Sequence, residues 1–173
     1  MKTNFFSKFG LSKKSSVDIE HTNPLPLNFD KNTYPQVKLS QEHKSQAYYL
    51  FFLLAKPELG RFMSALSSQS GDSLPEQGLI LNLSLYEDFT GYVVSFTCNN
   101  EDTVKKITQL KLAPPLPHQS FPSLDPNSYG SLQGNLDLWF THFWAVYWNS
   151  MTTEEKLAIS LPPDWSEFME SRF

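Results

Sequence analysis

Two runs of alternating residues, GLILNLSLYED (78–88) and GYVVSFTC (91–98), constrain the fold of this chain more than any other feature. In the first, Leu79, Leu81, Leu83 and Leu85 alternate with Ile80, Asn82, Ser84 and Tyr86. In the second, Tyr92, Val94, Phe96 and Cys98 alternate with Val93, Ser95 and Thr97. A period of two sends successive side chains to opposite faces of an extended backbone, so each run reads as a strand with one apolar face. Glu87 to Gly91 has the length and residue types of a connecting turn. A lone hairpin is marginal in water, so its leucine face needs a helical cover. The expected class is therefore α+β: an antiparallel β-hairpin or small antiparallel sheet packed against several α-helices in a single domain.

The helices are expected on both sides of this hairpin. Ser40 is placed to cap a helix running to about Lys56, whose later part, AYYLFFLLA (47–55), is apolar all round and so reads as buried. Those nine residues fall well short of the roughly twenty a bilayer span needs. Pro57 suits the first turn of a second helix over 57–69, with Leu59, Phe62, Met63 and Leu66 on one side. EDTVKKITQL (101–110) reads as a short helix. Thr152-x-x-Glu155 is a capping-box pattern, and Pro162-Pro163 break the chain before a last helix, DWSEFMESR. Between these, residues 113–134 lose all periodicity and hold five prolines. That stretch reads as a stiff connector within a domain spanning 40–173, preceded by an irregular segment, 1–39.

The aromatic stretch NLDLWFTHFWAVYWNS (135–150) holds three of the four tryptophans. On a regular α-helical wheel Leu136, Trp139, Phe140, Phe143, Val146 and Tyr147 fall within about 120°, the width of a core-facing stripe. Trp144 and Trp148 fall on its flank, beside Asp137 and Thr141. An exposed ridge of Asp137, Thr141, Trp144 and Trp148, with Trp165 beside it, has the composition of a protein-binding hot spot. The alternative is that the last helix or the proline-rich segment folds over these indoles.

Charge narrows the partner. The net charge is −4, and the first fourteen residues carry four lysines and no acid, which leaves ten bases against eighteen acids in the remainder. Such a body is repelled by phosphate backbones, which argues against nucleic acid, and would suit a basic protein. The single cysteine, Cys98, excludes an intrachain disulfide and a cysteine-based zinc cluster, and its place on the Val94–Phe96 face reads as core. His21, His43, His118 and His142 lack metal-ligand spacing, and no phosphate loop or nucleophile motif is present. No cofactor or metal is expected. MKTNFFSKFGLSKKSS has no apolar run of signal-peptide length, so the cytoplasm is the expected location.

Three functions compete on these grounds. The first is a small acidic protein-binding module that neutralises a partner by occlusion, as inhibitor or immunity-type proteins do. The second is an enzyme of unrecognised type using His118, His142 or acids meeting in a cleft. The third is a peripheral membrane protein anchored by FFSKFGLSKK, a single weak signal that argues against stable attachment.

Overall fold

A computed structural model describes residues 29, 32–40, 47–67, 81–128 and 131–173. Four strands, β1 (Val37–Ser40), β2 (Ala47–Ala55), β3 (Leu81–Asp88) and β4 (Gly91–Cys98), form one antiparallel sheet in the order β1-β2-β4-β3. With the helices described below, the fold is α+β and a single domain. The hairpin register follows the alternation: Leu81 faces Cys98, Leu83 faces Phe96 and Leu85 faces Val94. Leu79 and Ile80 of the expected strand lie outside the described residues, as does the FFSKFGLSKK segment.

AYYLFFLLA is not a helix. It is β2, a central strand, paired with β1 on one side and with eight residues of β4 on the other. This corrects the helix expected over 40–56, of which 41–46 lie outside the described residues. A continuous apolar run serves equally a helix buried all round and a strand buried on both faces, so periodicity cannot separate the two. Both faces of β2 are covered, which is why it shows no polar alternation. Tyr48, Leu50, Phe52 and Leu54 enter one core with Val94, Phe96, Cys98, Phe62, Val104 and Ile107, while Leu53 and Val93 enter a second on the opposite face.

The first core is roofed by α1 (Leu59–Ser67), entered through a 3-10 turn at Lys56–Glu58, and by α2 (Glu101–Gln109). The start of α2 is fixed by Asn100, whose side chain accepts the Thr103 N–H at 2.9 Å. Within the stretch expected to be irregular, Tyr34 is buried and β1 begins at Val37. The Tyr34 hydroxyl donates to the Leu53 carbonyl and accepts the Leu53 N–H at 3.0 Å. It thereby continues the edge of β2 beyond the end of β1. Burial raises the Tyr34 phenol far above its ordinary value, so it stays neutral.

The β3–β4 turn is tight. Phe89 and Thr90 both take left-handed backbone angles, φ 50° and 60°, as a two-residue type I′ turn requires. Neither is the glycine or asparagine that such a turn favours. Phe89 is held there by its ring, which is buried against Phe121 and Phe143 at 5.7 and 6.0 Å. After the turn, Gly91 has no room for a side chain: a Cβ would lie 2.5 Å from the Leu54 carbonyl oxygen and 2.9 Å from Pro115 Cγ.

Pro115 belongs to the connector, which does more than link. Pro114, Pro115 and Pro117 are buried, and the Ala113 carbonyl accepts the Ala55 N–H at 2.9 Å. The segment includes a short helix, α3 (Pro117–Ser120), and a 3-10 turn at Pro126–Ser128. Beyond it the C-terminal layer forms the second core, with α4 (Gly134–Trp139), a π-helical turn (Phe140–Trp144), α5 (Ala145–Ser150), α6 (Thr153–Leu157) and α7 (Pro163–Glu170). Thr152 and Glu155 make the reciprocal capping box of α6, at 3.2 and 2.9 Å.

Candidate docking surface

The π-helical turn decides which aromatic rings reach the surface. In a regular α-helix five residues advance the side chain to about 140° from its start. A wider turn removes most of that offset, so Trp144 points to the same side as Trp139. Their rings stack with centroids 5.7 Å apart and planes at 12°. Trp144 is fully buried, and its indole N–H donates to Met169 Sδ at 2.9 Å. Trp165 is 3% exposed and meets Trp139 edge-on at 6.2 Å.

The structure therefore corrects part of the expected ridge. Trp144 and Trp165 are interior residues covered by this chain's own α7, because the π-turn rotates the first inward and the second belongs to the inner face of α7 with Phe168 and Met169. Asp137 and Thr141 are exposed as expected, with the Thr141 hydroxyl donating to Asp137 Oδ1 at 3.2 Å. Trp148 is half-buried.

Trp148 has companions that helical spacing did not single out. Phe173, 51% exposed, lies against Phe140 at 5.5 Å and against Trp148 at 5.7 Å. These three rings form an outer aromatic layer resting on Trp144 and Phe168, at 5.9 and 6.1 Å. The layer is bordered on one helix by Asp137 and Thr141. On α7, Asp164, Glu167 and Glu170 recur every three residues and are exposed. Two cations lie against aromatic rings here: the Lys156 ammonium sits 5.5 Å from the Trp148 centroid, and the Arg172 guanidinium 4.3 Å from that of the buried Phe168. Phe173 was missed because nothing in a final SRF marks it as part of a patch. Helical spacing assigned Phe140 to the core-facing stripe and Trp148 to the ridge, and joined neither to the other or to Phe173.

Among the described residues no set of three His, Cys, Asp or Glu side chains could hold a metal ion. Cys98 is buried, its thiol meets the Asn100 backbone and the Thr103 side chain, and burial pushes its pKa up, which keeps it protonated. His142 is exposed and lies edge-on to Phe51 at 6.1 Å, while His118 sits half-buried on α3. Neither is hydrogen-bonded to an acid or to Cys98 among the described residues. Among those residues, too, no helix is long and apolar enough to cross a membrane.

Comparison of the chain with family models, with curated proteins and with solved structures finds no match.

Proposed function

We propose that this protein is a small acidic cytoplasmic protein-binding module that neutralises a basic partner by occlusion, in the manner of an inhibitor or immunity-type protein. One observation carries the reading: Phe173, Phe140 and Trp148 form a continuous aromatic layer at the surface with Asp137 and Thr141 on its border. Aromatic rings backed by a rigid floor and edged by polar groups are what concentrates binding energy at protein interfaces. The acidic body and the Asp164, Glu167 and Glu170 face of α7 favour a partner of positive charge, whose encounter they would accelerate. Trp144 and Phe168 serve this surface from below, as its floor.

The test is binding of a purified basic partner, identified from native extract, to wild type and to variants at the aromatic layer. Phe173→Ala and Trp148→Ala are expected to weaken binding at least tenfold, and Asp137→Lys to slow association in a salt-dependent way. Circular dichroism should be unchanged in all three. Full affinity in Phe173→Ala and Trp148→Ala together would remove this surface from the interface.

A further inference from the structure

The two edges of the sheet are finished differently. On the β1 side the outward-facing groups of β2 are engaged past the strand that pairs with it: β1 pairs with residues 47–50, the Tyr34 hydroxyl takes both main-chain groups of Leu53, and the Ala113 carbonyl takes the Ala55 N–H. β1 itself is four residues long and carries Lys38. Short length and a lysine are devices that keep an edge from pairing further.

β3 carries none of these over its first six residues. LNLSLY (81–86) contains no charge, no proline and no glycine, and no bulge interrupts its register with β4. The two-residue turn fixes which of its groups point outward. Asp88 and Gly91 close the hairpin as a hydrogen-bonded pair, so Asp88, Tyr86, Ser84 and Asn82 turn their main-chain groups toward β4. Leu81, Leu83, Leu85 and Glu87 turn theirs away from it, and no described residue accepts or donates to them. On the leucine face Leu81 is 44% exposed, while Leu83 and Leu85 are only partly covered.

We infer that β3 is a pairing edge and that its occupant is β3 of a second copy of this chain. The sequence of the strand is self-complementary about Ser84. An antiparallel two-fold centred there sets Leu83 opposite Leu85 of the second copy as a hydrogen-bonded pair, twice. Ser84 meets Ser84 as the close, non-hydrogen-bonded pair, and Asn82 meets Tyr86. Glu87 falls opposite Leu81, so the two Glu87 carboxylates stand about 20 Å apart along the strands and do not oppose each other. The result is a continuous eight-stranded sheet whose two leucine faces lie on the same side. This inference uses none of Phe140, Trp148 or Phe173 and stands apart from the proposed docking function.

Sedimentation velocity of wild type across a range of concentrations is expected to show reversible dimers, and amide exchange at Leu83 and Leu85 should slow as concentration rises. Ser84→Lys and Ser84→Glu, each placing like charges in contact across the two-fold, are expected to be monomeric with wild-type circular dichroism. An equimolar mixture of the two is expected to recover the dimer, which also covers the case in which either variant alone is less stable. Three results overturn the inference: a wild type that is monomeric throughout, a mixture that stays monomeric, or protection of Leu83 and Leu85 that does not change with concentration. The last would mean that this chain covers its own edge.

Discussion

Trp139 and Trp144 stack at 5.7 Å although they lie five positions apart, a spacing that an uninterrupted α-helix would turn to different faces. The π-turn at Phe140–Trp144 reconciles the two, and it converts a residue expected at the rim into one of the largest fully buried side chains of the protein. Trp144→Ala is therefore expected to lose roughly 3–5 kcal/mol of stability, the range for emptying a large aromatic site. Trp148→Ala, at a half-buried position, should lose less. The turn also holds one residue more than an α-helix needs. Deleting Thr141, which is exposed, should close the turn and leave the stack in place as a four-residue spacing. Urea melts and near-ultraviolet circular dichroism report both outcomes; loss of the aromatic dichroism on deleting Thr141 would contradict the role given to the turn.

Tyr34 acts as a missing stretch of strand. Its hydroxyl serves both main-chain groups of Leu53, and its ring packs against Phe52 and Tyr147 at 6.3 and 5.2 Å. Tyr34→Phe keeps the ring and leaves a buried N–H and C=O without that partner. The expected loss is about 1–3 kcal/mol. A denaturation midpoint equal to wild type would show that the hydroxyl is replaceable.

The β3–β4 turn stores backbone strain at a site where relief is simple. Thr90 is exposed at φ 60°, so Thr90→Gly removes a left-handed penalty without removing buried contacts. It is expected to raise stability by about 1 kcal/mol. Phe89→Gly relieves the same strain but empties a core site, and should be destabilising on balance. Gly91→Ala has no comparable relief, since its methyl group would strike the Leu54 carbonyl. Thermal melts of the three variants should rank in that order, with Thr90→Gly highest.

The capping box of α6 introduces a pH dependence of known sign. The Thr152 N–H bonded to Glu155, reinforced by Lys111 at 3.1 Å, holds the Glu155 carboxyl below its usual range. Glu154 is lowered by hydrogen bonds to its own backbone and to the Thr152 hydroxyl. A folded value below the unfolded one stabilises the native state fully above the unfolded pKa, about 4.3 for glutamate, and that stabilisation is lost as pH falls through the lower folded value. Glu155→Gln has no such titration. Its melting temperature is expected to fall less steeply than that of wild type as the pH drops from about 5 to about 2, the range around that glutamate value. Parallel curves would assign the acid sensitivity elsewhere.

Much of this architecture could be read from residue patterns, and the failures fall where distant packing or a change of helical winding decides. The hairpin, α1, α2, the α6 capping box and the last helix follow from signals that act within a few residues: alternation, a cap, a proline at a first turn. β2 was misread because AYYLFFLLA is apolar at every position, and only the layers on both sides of the strand explain why. Trp144 was misplaced because the wheel assumes a constant turn, whereas nothing in FTHFW announces a wider one. Asp137, Thr141 and Trp148 were legible as a polar and aromatic side of one helix. Phe173 was not, since its neighbours Phe140 and Trp148 are brought to it by the return of α7 across the helix.

The double-sided burial of β2 has a consequence for synthesis. As the chain leaves the ribosome, one face of AYYLFFLLA can be sheltered once α1, β4 and α2 have emerged. The other, with Phe51 and Leu53, has to wait for Phe143 and the helices around it, some ninety residues later. Until those residues are made, the Phe51 and Leu53 face lacks its cover, the kind of transiently exposed apolar surface on which partly folded chains aggregate.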